Sequence, residues 1–293
     1  MGDHDRLAER FEAHRSHLHG IAYRMLGSPS EADDAVQEAW LRLSRADTDS
    51  IENLAGWLTR VVARVGLDML RARTARREQS LGIQVPDPIV NGQAESDPEQ
   101  EALLADSVGL ALLVVLDRLA PAERVAFVLH DLFAVPFEEI APIVERSPTA
   151  TKKLASRGRH RVHGTAPSLD TDRARQRQVA DVFLAATRGG DIKALLAVLD
   201  PSVVRRADRA ALPAGPAELR GGQAVAEETR VFSRRARFAR LALVDGTVGI
   251  VVAPRGRLGL AIGLTIKDDK ITEIDVIADP PRLHQLDLAV LAD

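Results

Sequence analysis

The residues with the most evident chemistry lie between Phe137 and His163, in the stretch FEEIAPIVERSPTATKKLASRGRHRVH. From Ser147 to Gly164 every charged residue is basic, and Thr149, Lys152, Lys153, Ser156, Arg159, His160 and His163 share one side of a helical wheel. Such a face suits an anion. A DNA duplex offers phosphates along a groove wide enough for one helix, with base edges that Lys, Arg, Thr and Ser can hydrogen-bond. The plainer alternative is a solvated basic helix with its cations near the negative end of the dipole. Leu154, Ala155, Gly158 and Val162 cluster on the opposite side, small where two helices would cross closely.

A second helix must hold that face in place. Ile140, Ile143 and Val144 have the i, i+3, i+4 spacing of a buried helical stripe, and Glu145 and Arg146 break it. Ser147 can then accept a hydrogen bond from the free N–H groups of a new helix, and Pro148 fits the first helical position, where no N–H is needed. The pattern is that of a helix-turn-helix. Pro121 opens a further helix whose Val125, Val128, Leu129 and Leu132 are expected to pack behind it.

Upstream, Leu7, Phe11, Leu18, Ile21, Ala22 and Met25 mark one side of a helix ending at Gly27, with His14 on that side as a core residue rather than a ligand. Ser30 is the expected cap of the next helix, with Glu31, Asp33 and Asp34 near the positive end of its dipole. Val36, Ala39, Trp40 and Leu43 face inward. Asp34, Gln37, Glu38 and Leu41 lie opposite, an acidic face with an exposed leucine that suits a basic protein partner. After the polar loop from Arg45 to Asn53, Leu54, Leu58, Val61, Val65 and Met69 make the expected buried stripe of a third helix. Arg60, Arg64 and Arg71 line an adjacent face with Leu67, beside Trp57, which either stacks on an unpaired base or packs in the core.

The 293 residues suggest two or three domains, and the net charge of −3 means that any nucleic-acid binding must come from local basic faces. No apolar run approaches the ~20 residues of a membrane span. The absence of cysteine excludes disulfides, thiol catalysis and Cys-ligated zinc, so the expected setting is the cytoplasm, with no membrane, metal or cofactor. From Pro86 to Asp106 the chain is acidic, rich in turn residues and free of Lys and Arg, and reads as a linker. Beyond Asp172 the pattern changes to a helix from Arg173 to Arg188, another near Ala224 to Arg235, then strand-like runs at Phe238–Val244, Val248–Ala253, Leu258–Ile266 and Ile271–Ile277. Turns are expected at Asp245-Gly246, Arg255-Gly256 and Asp268-Asp269. Helices followed by a meander imply an α+β domain with a curved sheet.

The stretches AYRMLGSPSEADDAVQEAWLRL (Ala22 to Leu43), GWLTRVVARVGLDMLRAR (Gly56 to Arg73) and LAPAERVAFVLHDLFAVPFEEIAPIVERSPTATKKLASRGRHRV (Leu119 to Val162) together resemble the extracytoplasmic-function sigma factors of bacterial RNA polymerase. The remainder resembles the SnoaL-like cone-shaped α+β extension carried by one group of them. The resemblance implies a multidomain chain: an all-α sigma region 2 at 1–80, an acidic linker at 81–105, an all-α sigma region 4 helix-turn-helix at 106–165, and a SnoaL-like α+β regulatory extension at 173–293. It implies that Asp34, Gln37, Glu38 and Leu41 grip the coiled coil of the polymerase's largest subunit. Trp57, Arg60, Arg64 and Arg71 would handle the −10 element, and the loop from Arg45 to Asn53 would capture an unpaired base. Thr149, Lys152, Lys153, Ser156, Arg157, Arg159 and His160 would meet the −35 element.

Such a factor directs promoter-specific initiation without being an enzyme, and its extension is expected to contact the sigma regions within the chain and modulate them. The stretch RADRAALPAG (Arg206 to Gly215) departs from the group's Asp-Gly-Gly-Gly segment, whereas ADPPRLHQL (Ala278 to Leu286) roughly matches its Asn-Pro-Asp-Lys-Leu motif. Two other readings differ in kind: a free-standing helix-turn-helix regulator with a ligand-sensing extension, and a SnoaL-like isomerase or cyclase. For the enzyme, Asp181, Asp208, Asp275 and His284 are available, but they form no recognisable acid/base motif.

Overall fold

The computed structural model describes residues 3–48, 51–79, 109–164, 171–254 and 257–291. The stretch 81–105 and the turn at Arg255-Gly256 lie outside them. The chain divides into two compact units, the first holding the described residues up to 79 together with 116–160, the second holding 109–115 and those from 161 onward.

In the first unit, α1 (Asp3–Leu26), α2 (Pro29–Leu43) and α3 (Leu54–Gln79) pack on one another. Phe11, Leu18, Ile21, Ala22 and Met25 are buried along α1 as their spacing requires, while His14 is half-buried. The chain turns at Gly27, whose φ of +74° favours glycine. Ser28, not Ser30, caps α2: its hydroxyl accepts the Glu31 N–H at 3.4 Å, because Pro29 takes the first helical position and the cap must precede it. In α3 the buried arc is Leu54, Leu58, Val62, Ala63, Val65, Leu67 and Leu70, while Val61 and Met69 are only half-buried. The arc is wider than one stripe because α3 meets α1 and α2 as well as two later helices, which also buries Leu67 beneath the arginine face.

Next, α4 (Leu110–Leu116) is almost wholly apolar and α5 (Pro121–Phe127) runs directly into a π-helical turn, Val128–Leu132. Val125, Val128 and Leu129 are buried as expected, but Leu132 is 37% exposed. The widened turn departs from the 3.6-residue period on which that expectation rests. Then come α6 (Phe137–Val144) and α7 (Pro148–His163), the two helices of the helix-turn-helix. Glu145 closes α6 in the left-handed region at φ 57°, and the Ser147 hydroxyl accepts the Ala150 N–H at 3.2 Å. Ala155, Gly158 and Val162 are buried, with Leu154 half-buried and Thr151 also inside, where its hydroxyl donates to the Ser147 carbonyl.

The second unit begins its α+β part with α8 (Thr171–Gly189) and α9 (Ile192–Val198). Strands β1 (Leu199–Ala207) and β2 (Glu218–Arg220) follow, then α10 (Gly222–Val231) and a 3-10 turn, Arg235–Phe238. The four expected strands are β3 (Ala239–Val244), β4 (Thr247–Val252), β5 (Leu260–Lys267) and β6 (Lys270–Ile277), and α11 (Pro280–Gln285) and β7 (Leu288–Ala289) complete the chain. They form one seven-stranded sheet in the order β2-β1-β6-β5-β4-β3-β7, in which β3 to β6 make an antiparallel meander and β1 joins β6 in parallel. Asp245-Gly246 and Asp268-Asp269 close two-residue hairpins with positive φ at both positions. One face of the sheet packs with α8, α9 and α10 around Phe183, Leu195, Val203, Val225, Ile250 and Ile274, and on the other Leu283 of α11 covers Ala261 and Ile277.

The crossing of α7 over α5 is the tightest spot that positions the basic face. A Cβ at Gly158 would lie 2.9 Å from the Phe127 Cβ and 3.3 Å from the Glu123 carbonyl oxygen. Gly158→Val should therefore destabilise the first unit by about 1–3 kcal/mol through overpacking, read as a lowered urea midpoint at unchanged slope. An unchanged midpoint would mean that the helices can separate at this point without cost.

Candidate nucleic-acid interface

The outer side of α7 is a basic surface built by the turn and by the Gly158 crossing. Thr149, Lys152, Lys153, Ser156 and His160 are exposed. Arg157 and Arg159 are exposed as well, but each leans on an acid of the same unit: Arg157 Nε lies 3.4 Å from Glu123, and Arg159 holds Asp131 through Nε at 2.7 Å and Nη2 at 2.5 Å. The predicted set thus shares one face, with two of its members tied by counter-charges from α5 and the π turn. Those acids were not legible as partners, since they stand 34 and 28 residues away in the chain.

On α3, Arg60 is exposed and Trp57 half-buried. Arg64 donates to the Ile143 carbonyl at 2.9 Å and is bound directly to the Glu145 carboxylate. Arg71 approaches the same carboxylate at 3.7 Å and Asp68 at 3.8 Å. Glu145 sits in the helix-turn-helix turn, so one acid from that motif covers two arginines of the other basic face. Hydrogen bonding and charge attraction from Arg64, with Arg71 and Arg146 adding to it, hold the Glu145 carboxyl below the ordinary carboxylate range. A depressed folded-state pKa makes its contribution complete above the unfolded carboxylate value and lost as pH falls through the folded one. The pair is intact at neutral pH.

The acidic side of α2 is presented as its wheel predicts. Asp34, Gln37 and Leu41 are exposed, the last by 38%, and Glu38 is half-buried in an i, i+4 pair with Arg42 at 2.9 Å. Beneath these surfaces lies a feature that periodicity did not reveal. Arg124 is 2% exposed, with Nη1 at 3.3 Å from Asp117 and Nη2 at 3.4 Å from the Arg24 carbonyl. Arg73 binds Glu31, the Leu26 carbonyl at 3.1 Å and Asp117 at 3.6 Å. Burial pushes the Arg124 guanidinium down to about 10, which still leaves it cationic at neutral pH.

Of the acids considered for catalysis, two have partners within the fold. Asp208 spends its carboxylate on the backbone N–H groups of Ala211, Ala278 and Asp279, each at 2.9 Å, and Asp181 lies 3.9 Å from Arg177. Asp275 is paired in register with Arg206, and His284 is exposed on α11. Among the described residues no three His, Asp or Glu side chains gather to hold a metal ion, and no helix is long and apolar enough to cross a membrane.

The comparisons with known proteins match this arrangement part by part. Sigma-70 region 2 matches residues 10–76, and sigma-70 region 4 matches residues 109–162. The chain is 38% identical to the ECF RNA polymerase sigma factor SigJ of Mycobacterium tuberculosis, across 93% of this chain and 91% of that protein. It is 33% identical to the probable ECF RNA polymerase sigma factor SigI of the same species, across 98% of each. The crystal structure of M. tuberculosis SigJ aligns with 94% of this chain and 98% of its own at 33% identity, with a TM-score of 0.45. With both sigma regions matched in order and the likeness running on through the extension, this chain belongs to the extracytoplasmic-function sigma factors, non-enzymatic proteins that direct promoter-specific transcription initiation by RNA polymerase.

Proposed function

We propose that the three surfaces divide the work of initiation, with region 2 at 1–80, region 4 at 106–165 and the extension at 173–293. Asp34, Gln37, Glu38 and Leu41 engage the coiled coil of the polymerase's largest subunit. Trp57, Arg60, Arg64 and Arg71 act at the −10 element, and Thr149, Lys152, Lys153, Ser156, Arg157, Arg159 and His160 at the −35 element. The observation that carries the reading is the exposed, one-signed face of α7 behind a capped turn, since phosphate contacts need such a face and base edges need a helix that can enter the groove. Run-off transcription with core polymerase from a randomised promoter pool tests it directly. In holoenzyme–promoter binding, Lys152→Ala with Lys153→Ala should lower the log–log salt slope by about 0.9 for each phosphate that the lysines neutralise. A slope equal to wild type would put both lysines off the DNA.

The pairing of Glu145 with Arg64 and Arg71 supports a closed resting state, in which the turn of the DNA-binding motif occupies part of the −10 face until core polymerase separates the two regions. The pair is exposed and correspondingly weak. Glu145→Gln should tighten association with core polymerase, measured without DNA, by roughly twofold to fivefold at low salt, and the gain should shrink as salt screens the wild-type pair. No gain at any salt would remove Glu145 from the opening step.

The extension acts on the sigma regions from within the same chain. A short tether gives it an effective concentration in the millimolar range, so weak docking suffices to bias the spacing of the two DNA-binding faces. Ending the chain after Gly164 should change transcription from the cognate promoter across a concentration series, upward if the extension holds the DNA-binding faces apart. Equal output from both proteins would leave the extension without a modulating role.

A further inference from the structure

The extension carries a basic surface of its own that the helix-turn-helix does not account for. Between Arg230 and Val244 the sequence has five arginines and no acidic residue. Arg230, Arg234, Arg235 and Arg237 are all exposed, on the last turn of α10, the bend after it and the 3-10 turn. None of these four makes an ion pair among the described residues. The nearest acids in sequence are already committed, Glu228 to Arg205 at 2.8 Å and Glu227 to Gln223 at 2.6 Å.

The backbone that carries them is firmly held. Arg188 of α8 donates to the Ala236 carbonyl at 3.1 Å and the Ala239 carbonyl at 2.6 Å, and the N–H groups of Ser233, Arg235 and Ala236 donate to carbonyls within the bend. Side chains three residues apart eclipse one another in 3-10 geometry, about 6 Å along the axis. Arg234 and Arg237 therefore project from the same side, with Arg237 flattened 4.5 Å over the Phe238 ring. A charged row on a fixed backbone, with guanidinium groups that bind phosphate in two-pronged fashion and no counter-ion among the described residues, is the footprint of a polyanion.

We propose that Arg230, Arg234, Arg235 and Arg237 form a second, sequence-independent DNA-backbone contact, through which the extension adds to promoter affinity without adding to promoter choice. The proposal rests on the sigma-factor reading, because a duplex is the polyanion to which that function brings the extension. The contact is electrostatic, so its strength falls with salt as bound counter-ions are replaced.

The test uses full-length protein assembled with core polymerase on a long promoter duplex and on an unrelated duplex of equal length, with affinity followed by fluorescence anisotropy against salt. The variant carries Arg234→Gln, Arg235→Gln and Arg237→Gln, leaving Arg188 and Arg240 in place, and its melting curve is compared with wild type. The expected result is a salt slope lower by up to about 2.7 on both duplexes, with the ratio between promoter and unrelated DNA unchanged. An unchanged slope from a folded variant that still directs transcription overturns the patch alone. A slope that holds while affinity for core polymerase drops overturns it in favour of a protein partner. Failure of the wild-type holoenzyme to transcribe any promoter overturns the sigma reading and the patch with it. If the triple variant melts early, single Arg234→Gln and Arg235→Gln variants decide, each expected to lower the slope by about 0.9.

Discussion

A guanidinium removed from water must be surrounded by acceptors, and the sigma unit is assembled around that demand. Arg124 comes from α5, the Arg24 carbonyl from the end of α1, and Asp117 from the segment before α5. Arg73 of α3 shares Asp117 and reaches Glu31 at the start of α2. Four helices thus meet at two cations and two anions, and the chain reversal at Gly27 lies within 3.3 Å of Arg124 when a Cβ is placed there. A buried pair of charges contributes less net stability than its geometry suggests, because desolvation offsets the attraction, but removing one partner strands the others. The network therefore specifies which surfaces meet more than it strengthens their meeting. Among the described residues the Arg124 Nε hydrogen has no acceptor, so the guanidinium is held through its two terminal nitrogens.

Where Arg124 is buried and costly to release, the arginines that would meet DNA keep their guanidinium groups at the surface, although the Glu123 that faces Arg157 is itself buried. Arg64, Arg71, Arg157 and Arg159 each have an acid from elsewhere in the sigma unit, and each remains a third or more exposed. In water such pairs contribute little and are screened by salt. Phosphates along a duplex offer the same charge at far higher density, so exchange of the exposed Glu145 for DNA would need no unfolding. A chain of net charge −3 can in this way carry basic faces in which some arginines have acids of the chain beside them while Lys152 and Lys153 stay open.

The helix-turn-helix was fully legible because each of its signals is local: Ser147 before Pro148, a small residue at 158, an apolar stripe at 140, 143 and 144. The hairpins at Asp245 and Asp268 were legible for the same reason. What escaped was set by neighbours distant in sequence. The buried arc of α3 widened because two groups of helices flank it, Leu132 turned outward because of a π turn, and β1 and β2 were missed because β1 is closed by a parallel partner some 70 residues away and bent where Pro201 lacks a ladder donor. The candidate DNA-binding residues could be named from type and spacing alone. Their acidic partners could not, since no periodicity links Arg64 to Glu145.

The interior of the extension bears on what it can do. Its sheet and helices enclose aliphatic side chains and one buried charged pair, Arg205 with Glu228, the guanidinium also donating to the Pro216 carbonyl at 2.8 Å. That arginine is 2% exposed and its donors are directed at fixed acceptors, so it is committed to holding β1, α10 and the loop before β2 together. Asp208 is committed in the same way, joining the stretch after β1 to Ala278 and Asp279 just past the end of β6. Side chains whose hydrogen bonds are already satisfied by the fold contribute to shape, and chemistry would require them to let those bonds go. The polar groups of the extension that are not so engaged lie on its outside, above all the arginines after α10. An interior devoted to packing leaves the exposed arginines after α10 as the charged groups of the extension that are open to a partner.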